Sequence, residues 1–255
     1  MAKIPKSQVN DFAIRSFRNI ADGDYITARL AFRYQLIPQF YWSSLQAIEK
    51  YLKCILVLNR IPAKRGHNLS SLLTAFKDAG KFEIRLTGES TEFIALLDEV
   101  GRHRYYESSY YSLGNEIVSL DRVTWEVRRY ARILDYNIAD VDGNPINLLA
   151  HELKANEKAE DLSPHRFRII GGRLEAIIDK RDHPSREPLL WQNAFFGLKP
   201  RKTVMLPGRM EAGNAPLSIR PEILDEVKKY VFLPKDVSQA YQDLRQTKAD
   251  SRISR

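Results

Sequence analysis

The sequence contains almost no cysteine and no long apolar run. Cys54 is the only cysteine among 255 residues, which excludes an intramolecular disulfide framework and favours a reducing compartment. The longest apolar stretch with few charges lies around residues 54–58, far shorter than the roughly 20 residues that a membrane-spanning helix needs. Residues 1–11 are polar and do not predict a signal peptide. We therefore expect a cytoplasmic protein with no membrane contact.

Histidine is also scarce, and its distribution does not predict a metal site. The five histidines, at positions 67, 103, 151, 165 and 183, are scattered along the chain. His151 and Glu152 lack the second histidine of a zinc-protease helix. Gly171 and Gly172 lack the glycine spacing and the lysine of a phosphate-binding P-loop. The sequence therefore predicts no metal and no cofactor.

Positive charge exceeds negative charge along the chain. The sequence has 40 lysines and arginines against 32 aspartates and glutamates, a net charge of +8 at pH 7. Such an excess favours polyanionic partners, above all nucleic acid, because basic side chains contact phosphates and release counterions. The hydrophobic and charged fractions are those of an ordinary globular protein, and the length allows one large domain or two smaller ones.

The first half of the chain has the apolar spacing of helices. Residues 6–21 predict one helix, the Asp-Gly-Asp sequence at 22–24 predicts a break, and a second helix begins near residue 25. Pro38 interrupts that helix. Residues 39–59 then predict the clearest helix of the protein, with an apolar face made by the following residues: Leu45, Ile48, Leu52, Ile55 and Leu56.

Local signals predict where the later helices begin and end. Asn68 is a good N-cap for the next helix, and Gly80 ends it. Thr87 begins another helix, and residues 115–135 predict a long one. Residues 140–145 have turn chemistry and mark a boundary between the two halves.

The second half predicts a mixture of strands and helices. Two apolar runs separated by Gly171 and Gly172 predict a β-hairpin near residues 167–178, and residues 201–206 predict a third strand. Helices are expected at residues 146–160, 221–230 and 235–246. The whole chain is therefore predicted to be mainly α, with a helical domain over residues 1–138 and an α+β extension over residues 139–255.

Two segments of the first half resemble the HEPN family of helical bundles (higher eukaryotes and prokaryotes nucleotide-binding). One segment, residues 40–53, is similar to the family's core helix in the following residues: Gln46, Ala47, Glu49, Lys50 and Lys53. The other segment, His67-Asn68-Leu69, is similar to the His-Asp-Leu start of the family's next helix, with asparagine in place of aspartate. The resemblance covers residues of about 10–135 and predicts a HEPN-like bundle followed by the smaller α+β region.

The resemblance implies a function and partners. Many HEPN proteins bind RNA or a nucleotide, act as homodimers, and belong to toxin–antitoxin or phage-defence systems. The implied partners are RNA, a cognate antitoxin or a nucleotidyltransferase. Many are metal-independent ribonucleases, so the chain is a possible endoribonuclease, although its status as an enzyme stays open.

The family's ribonucleases use an arginine followed four to six residues later by a histidine. Arginine can stabilise phosphate charge, and histidine can move a proton near neutral pH. The resemblance points to two sets of candidate catalytic residues: Arg60 with His67, and Arg102 with His103 and Arg104. In the first set Ile61 replaces a polar residue, and in the second the histidine directly follows the arginine. The alternatives are a helix-start role for His67, bonded to backbone, and a solvated surface position for His103.

Basic residues beside an aromatic residue suggest a nucleic-acid contact. Arg122, Trp125, Arg129 and Arg132 are spaced three, four and three residues apart and therefore share one helix face. Such a face suits a phosphate backbone with a stacked base. Alternatively, Trp125 packs into the core and the arginines extend around it.

A second basic set surrounds the predicted hairpin and consists of Arg166, Arg168 and Arg173. It can contact nucleic acid, or it can be a solvated strand edge. The sequence thus leaves three functions open: binding of RNA or a nucleotide, metal-independent RNA cleavage, and a helical adaptor that docks an acidic protein.

Overall fold

The computed structural model of the chain describes residues 5–63, 66–101, 109–206, 208 and 210–253, with side chains up to residue 247. Most of these residues are helical, which confirms the predicted mainly α fold. The α-helices are α1 Lys6–Ala13, α2 Asn19–Arg33, α3 Ile37–Leu58, α4 Leu69–Ala79, α5 Gly88–Val100, α6 Glu116–Arg128, α7 Leu149–Glu160, α8 Arg173–Asp179, α9 Arg186–Leu190, α10 Pro216–Ile219, α11 Leu224–Val227 and α12 Lys235–Ile253.

Short strands form two small antiparallel sheets. The strands are β1 Tyr110–Ser112, β2 Asn137–Ala139, β3 Pro145–Asn147 and β4 Glu211–Gly213. Strand β1 pairs with β4, and β2 pairs with β3. The chain also has 3₁₀ turns at Pro164–Arg166 and Pro221–Ile223. No helix in the described ranges is both long enough and apolar enough to cross a membrane.

Helices α1 and α2 form one continuous helical stretch through a π-helical turn at Ile14–Arg18. The predicted break at residues 22–24 is therefore wrong. Asp22 is buried and accepts hydrogen bonds from Tyr51 Oη (2.6 Å) and Arg128 Nε (2.8 Å). Its carboxylate thus bonds to distant side chains of the core, and its turn-forming preference does not decide the backbone.

Helix α3 forms the centre of the bundle, with Pro38 in its first turn, where proline's missing N–H costs no hydrogen bond. Its predicted apolar face is buried, and Ala47 is buried within it. The predicted signals around α4 and α5 are confirmed. Asn68 accepts a hydrogen bond from Ser71 N (2.7 Å), Gly80 ends α4 with a φ of 62°, and Thr87 accepts a hydrogen bond from Ser90 N (3.3 Å).

The predicted hairpin near residues 167–178 is wrong. Residues 167–170 lie in no strand, Gly171 forms a turn with a φ of 68°, and residues from Arg173 onward form α8. Leu174, Ile177 and Ile178 have the i, i+3, i+4 spacing that puts all three on one helix face, and all three are buried. The third strand predicted at residues 201–206 is also wrong, since these residues are in no described strand.

The main hydrophobic core continues past the predicted boundary at residues 138 and 139. Leu174, Leu189 and Phe196 belong to the same buried cluster as the helices of the first half. A separate small cluster lies near the C-terminus and consists of Ala215, Leu217, Leu224, Val237 and Tyr241. The division into two domains stays a prediction, but among the described residues one core has members from Ala13 to Phe196.

Candidate nucleic-acid interface

A buried ion network fixes the second half of the chain to the bundle. Arg128, at the end of α6, donates to Asp22 of α2 and, through both terminal nitrogens, to Glu175 of α8 at 2.7 and 2.8 Å. Burial opposes charge on Arg128 and on Glu175. Nevertheless, the two carboxylates raise the pKa of Arg128, and hydrogen bonds from Arg128 lower the pKa of Glu175. Arg128 and Glu175 are therefore both charged in the folded protein.

A second buried network holds the segment that contains α9. Arg29 of α2 pairs with Asp121 of α6 and donates to the backbone oxygens of Pro188 (3.1 Å) and Trp191. Tyr25 donates to the same aspartate at 2.6 Å, and burial raises the pKa of this tyrosine well above its usual value. Together, the two networks connect α8 and the segment around α9 to α2 and α6.

Between α6 and α7 lies an open cleft of about 410 Å³. Two arginines stand at its rim with exposed carboxylate partners. Arg122 contacts Glu89 at 2.9 Å, and Arg85 contacts Glu157 at 2.8 Å. Phe195 lies beside Arg122, whose guanidinium carbon is 5.5 Å from the ring centroid. The cleft is lined by Arg85, Leu86, Thr87, Arg122, Trp125, Glu126, Arg129, Glu160, Leu162, Pro164 and Phe195.

Trp125 forms the inner wall of the cleft and is buried. Its indole nitrogen donates to the Pro164 oxygen at 3.2 Å, and the guanidinium carbon of Arg129 lies 4.0 Å from its ring centroid. Arg129 is itself held by the Asn156 oxygen (2.7 Å) and Glu160 (3.1 Å). Trp125 therefore packs into the core with an arginine across its ring, and its contact with nucleic acid stays a prediction.

Arg132, predicted to share this face, pairs with Glu152 of α7 and donates to Asn156 Oδ1 at 3.0 Å. The structure thus brings Arg122, Trp125 and Arg129 together in the cleft and directs Arg132 toward α7. Arg85 and Phe195 were not predicted. Neither could be found from helix spacing, because both come from segments distant in sequence.

The other predicted basic set lies on a turn, residues 166–173, that we call the basic turn. Arg166, Arg168 and Arg173 are all exposed on it. Arg168 contacts Asp179 at 2.7 Å, and Arg173 donates to the Asn19 oxygen at 3.0 Å. At the tip of the turn, Ile170 is fully exposed.

The first predicted catalytic set is not brought together. Arg60 donates to the backbone oxygens of Val57 and Leu58 and reaches α1, whereas His67 Nδ1 lies 2.7 Å from Glu49 Oε2. Leu58 and Glu49 are nine residues apart on α3, about 13 Å along its axis. The second set, Arg102, His103 and Arg104, lies outside the described residues.

His67 and Glu49 form a carboxylate–histidine pair at the surface of α3. The carboxylate is nearly buried and also contacts Lys53 Nζ at 2.5 Å, while about half of the His67 side chain is exposed. Among the described residues, the His67 ring is therefore bonded to a carboxylate, where the sequence had offered a bond to backbone as the alternative. The carboxylate orients the ring and leaves Nε2 as the nitrogen for proton exchange. Within the described ranges, no three acidic, histidine or cysteine side chains are grouped as a metal site requires.

Comparison with known protein families gives one match. The model of the HEPN domain matches residues 14–134, from the π-helical turn to the end of the bundle. Neither the curated proteins nor the solved structures give a match. The matched range includes Glu49, His67 and the α6 side of the cleft, and it agrees with the resemblance seen in the sequence. Residues 14–134 are therefore a HEPN domain.

Proposed function

We propose that the chain binds RNA, or a nucleotide-bearing partner, in the cleft between α6 and α7. The cleft itself carries this proposal: it combines three arginines with a half-buried phenylalanine in a volume of about 410 Å³. Membership of the HEPN family and the net charge of +8 support the same class of ligand.

The rim arginines are the groups that phosphate can reach. Arg85 and Arg122 are each paired with an exposed carboxylate, and such surface pairs contribute only about 0–1 kcal/mol. A phosphate can replace these carboxylates with bidentate hydrogen bonds. Phe195, beside Arg122, offers a ring on which a base can stack.

Two carboxylates in the cleft limit where an anion can sit. Glu126 accepts hydrogen bonds from Thr87, and Glu160 accepts one from Arg129. Both carboxylates are thus already bonded to groups of the protein. Phosphate binding therefore depends on the two rim arginines, whereas Arg129 keeps its protein partners.

This proposal is tested with labelled single-stranded RNA and the full chain, titrated at several salt concentrations. We expect the double variant Arg85→Gln/Arg122→Gln to weaken binding by about tenfold or more and to reduce the salt slope by about 1.4, roughly 0.7 for each phosphate contact that a single strand loses. The matched control is Arg245→Gln, since Arg245 of α12 forms a comparably exposed pair with Asp225 of α11. Equal affinity of the double variant and the control would contradict the proposed site.

A second candidate function is metal-independent RNA cleavage at His67. The observation that favours it is the 2.7 Å contact between a half-exposed histidine and a nearly buried carboxylate. In this reaction, His67 takes the proton of the 2′-hydroxyl as the 2′-oxygen attacks phosphorus. The same proton then passes to the 5′-oxygen as its bond to phosphorus breaks.

Cleavage is tested by incubating RNA with the chain in the presence of EDTA. His67→Ala should abolish cleavage and Glu49→Gln should reduce it, because the carboxylate orients the ring. His165→Ala is the matched control, since His165 contacts only a serine hydroxyl among the described side chains, at 2.9 Å. Intact RNA after incubation with the wild-type chain would eliminate this function.

The remaining expectations rest on family membership alone. A homodimer, and a cognate antitoxin or nucleotidyltransferase within a toxin–antitoxin or phage-defence system, belong to this same proposal. A helical adaptor that docks an acidic protein is the alternative, and it gains support if the chain binds polyglutamate but not RNA at the same salt concentration.

A further inference from the structure

The basic turn presents an isoleucine that contributes no burial to the fold. The exposed fraction of Ile170 is 101%, whereas its neighbour Ile169 is only 3% exposed. Gly171 follows with a φ of 68°, a conformation that side chains other than glycine rarely adopt. Three exposed arginines lie within four positions of Ile170 in the sequence, and Asp179 is the carboxylate paired with one of them.

Ile170 is exposed although the backbone of the turn is held by hydrogen bonds. The backbone nitrogen of Ile169 donates to Glu175 Oε1 at 3.0 Å, and the nitrogen of Gly172 donates to the Ile169 oxygen at 2.9 Å. From the other side, Arg18 donates to the Gly171 oxygen at 3.4 Å. Hydrogen bonds from separate parts of the core therefore fix the backbone on both sides of the tip.

The turn also packs directly on the buried ion network. A Cβ atom added to Gly172 would lie 2.0 Å from Glu175 Oε2 and 3.0 Å from Arg128 Nη2. Buried charges are costly unless they are fully paired, and the backbone nitrogen of Ile169 adds a hydrogen bond to the Glu175 carboxylate. The fold thus holds a fully exposed apolar side chain in a fixed position between arginines.

We propose that Ile170 is a wedge that inserts between neighbouring bases of a bound RNA strand, while the arginines of the basic turn hold its phosphates. Apolar side chains that separate stacked bases are a known means of nucleic-acid binding. The surrounding positive charge matches a phosphate backbone. This inference rests on the proposed function and adds a second contact region to the cleft.

The cleft and the basic turn are close enough to bind one strand. Pro164 lines the cleft, and Phe167 contacts Trp125 with ring centroids 6.5 Å apart. Ile170 follows Pro164 by six residues, which span at most about 21 Å even in an extended chain. Ile170 therefore lies within about 21 Å of the Pro164 wall of the cleft, a distance that a few nucleotides of single strand can span.

The chain contains a matched control for the wedge. Val141 is also 101% exposed and also precedes a glycine of positive φ, Gly143 at 85°. Its neighbours, however, are Asp140 and Asp142, so its surroundings repel phosphate. Ile170→Ser and Val141→Ser remove equally exposed apolar side chains from turns of opposite charge.

The test uses the full chain and a single-stranded RNA that contains 2-aminopurine, whose fluorescence rises when it is unstacked. We expect wild type and Val141→Ser to raise the fluorescence equally. Ile170→Ser should lose this rise and bind about tenfold more weakly, as expected for losing the burial of one aliphatic side chain. Its salt slope should be unchanged. Arg168→Gln/Arg173→Gln should reduce the salt slope by about 1.4.

The outcomes separate the wedge from the proposed function. Identical affinity and fluorescence for Ile170→Ser and Val141→Ser would overturn the wedge and leave RNA binding intact. If the wild-type chain does not bind RNA even at low salt, both proposals fail. If Ile170→Ser instead weakens binding of polyglutamate and has no effect on RNA, the turn contacts an acidic protein and the wedge is wrong.

Discussion

Two turns of this chain have similar tips but differ in the hydrogen bonds that fix their backbones. The turn at residues 140–144 and the basic turn each carry a fully exposed aliphatic residue close to a glycine of positive φ. In the first turn, the carboxylate of Asp140 accepts hydrogen bonds from the backbone nitrogens of Asp142 (2.9 Å) and Asn144 (2.7 Å). The basic turn has an internal backbone hydrogen bond, but its side-chain hydrogen bonds come from Arg18 and Glu175, which lie outside it.

This difference separates a self-contained turn from one that depends on the whole fold. The turn at residues 140–144, which we call the acidic turn, uses the carboxylate of Asp140 to accept hydrogen bonds from its own backbone. These hydrogen bonds lower the pKa of Asp140. The basic turn has its shape only when α2, α6 and α8 are packed together, because Glu175 must be held by Arg128. Substitutions in the core should therefore change the conformation of the basic turn and leave the acidic turn unchanged.

The largest effect is expected for Arg128→Leu. This substitution leaves Asp22 and Glu175 as buried carboxylates without their main cation, and breaking such a pair costs about 3–5 kcal/mol. Urea unfolding measures the loss in the free energy of unfolding. Asp140→Ala is the comparison in the acidic turn and should have a much smaller effect. A loss below about 1 kcal/mol for Arg128→Leu would mean that the basic turn does not depend on this network.

A smaller effect is expected for Gly172→Ala. The new Cβ atom would meet the Glu175 carboxylate, which cannot move away without weakening its bonds to Arg128. We expect a cost of about 2 kcal/mol, as for overpacking in a core. Gly171→Ala and Gly143→Ala are the controls, since both sites are open and positive φ alone should cost about 1 kcal/mol. Equal losses for all three variants would contradict the close packing at Gly172.

The ion network should also make stability depend on pH in a defined direction. Burial alone would raise the pKa of Glu175, but the hydrogen bonds and positive charge of Arg128, together with backbone hydrogen bonds, lower this pKa in the folded protein. Its contribution is therefore complete above the ordinary glutamate pKa of about 4.3 and is lost as pH falls through the folded value. We expect Glu175→Gln to be less stable than wild type at pH 7, with a difference that shrinks toward pH 3. A constant difference in urea midpoints would contradict this sign.

Sequence reasoning succeeded where the determinants are local. The caps at Asn68, Gly80 and Thr87 and the apolar face of α3 all depend on residues within a few positions of each other. The break at residues 22–24 was predicted from equally local turn chemistry. It does not occur because Arg128, 106 positions away, holds Asp22 within the helix.

The same limit applies to the candidate site. Arg122 of α6 and Arg129, directly after its end, are seven residues apart and both line the cleft. Their partners Arg85 and Phe195 are far away in sequence, so no spacing rule could join them. The hairpin error has a different cause. Residues 174–178 have a helical period that the sequence already contained, but the glycine pair before them suggested a two-strand turn.

The smallest effect on stability is expected for the two residues at the tips. Ile170→Ser and Val141→Ser should each change the free energy of unfolding by less than about 0.5 kcal/mol, because neither side chain is buried in the fold. Thermal and urea unfolding of both variants measure this directly. If Ile170→Ser destabilises the chain by more than about 1 kcal/mol, the side chain has a packing partner in the protein, and the wedge loses its premise. The other outcome is that both variants are as stable as wild type while only Ile170→Ser weakens RNA binding. In that case the hydrogen bonds that fix the basic turn position Ile170 for RNA binding, and the acidic turn only connects β2 to β3.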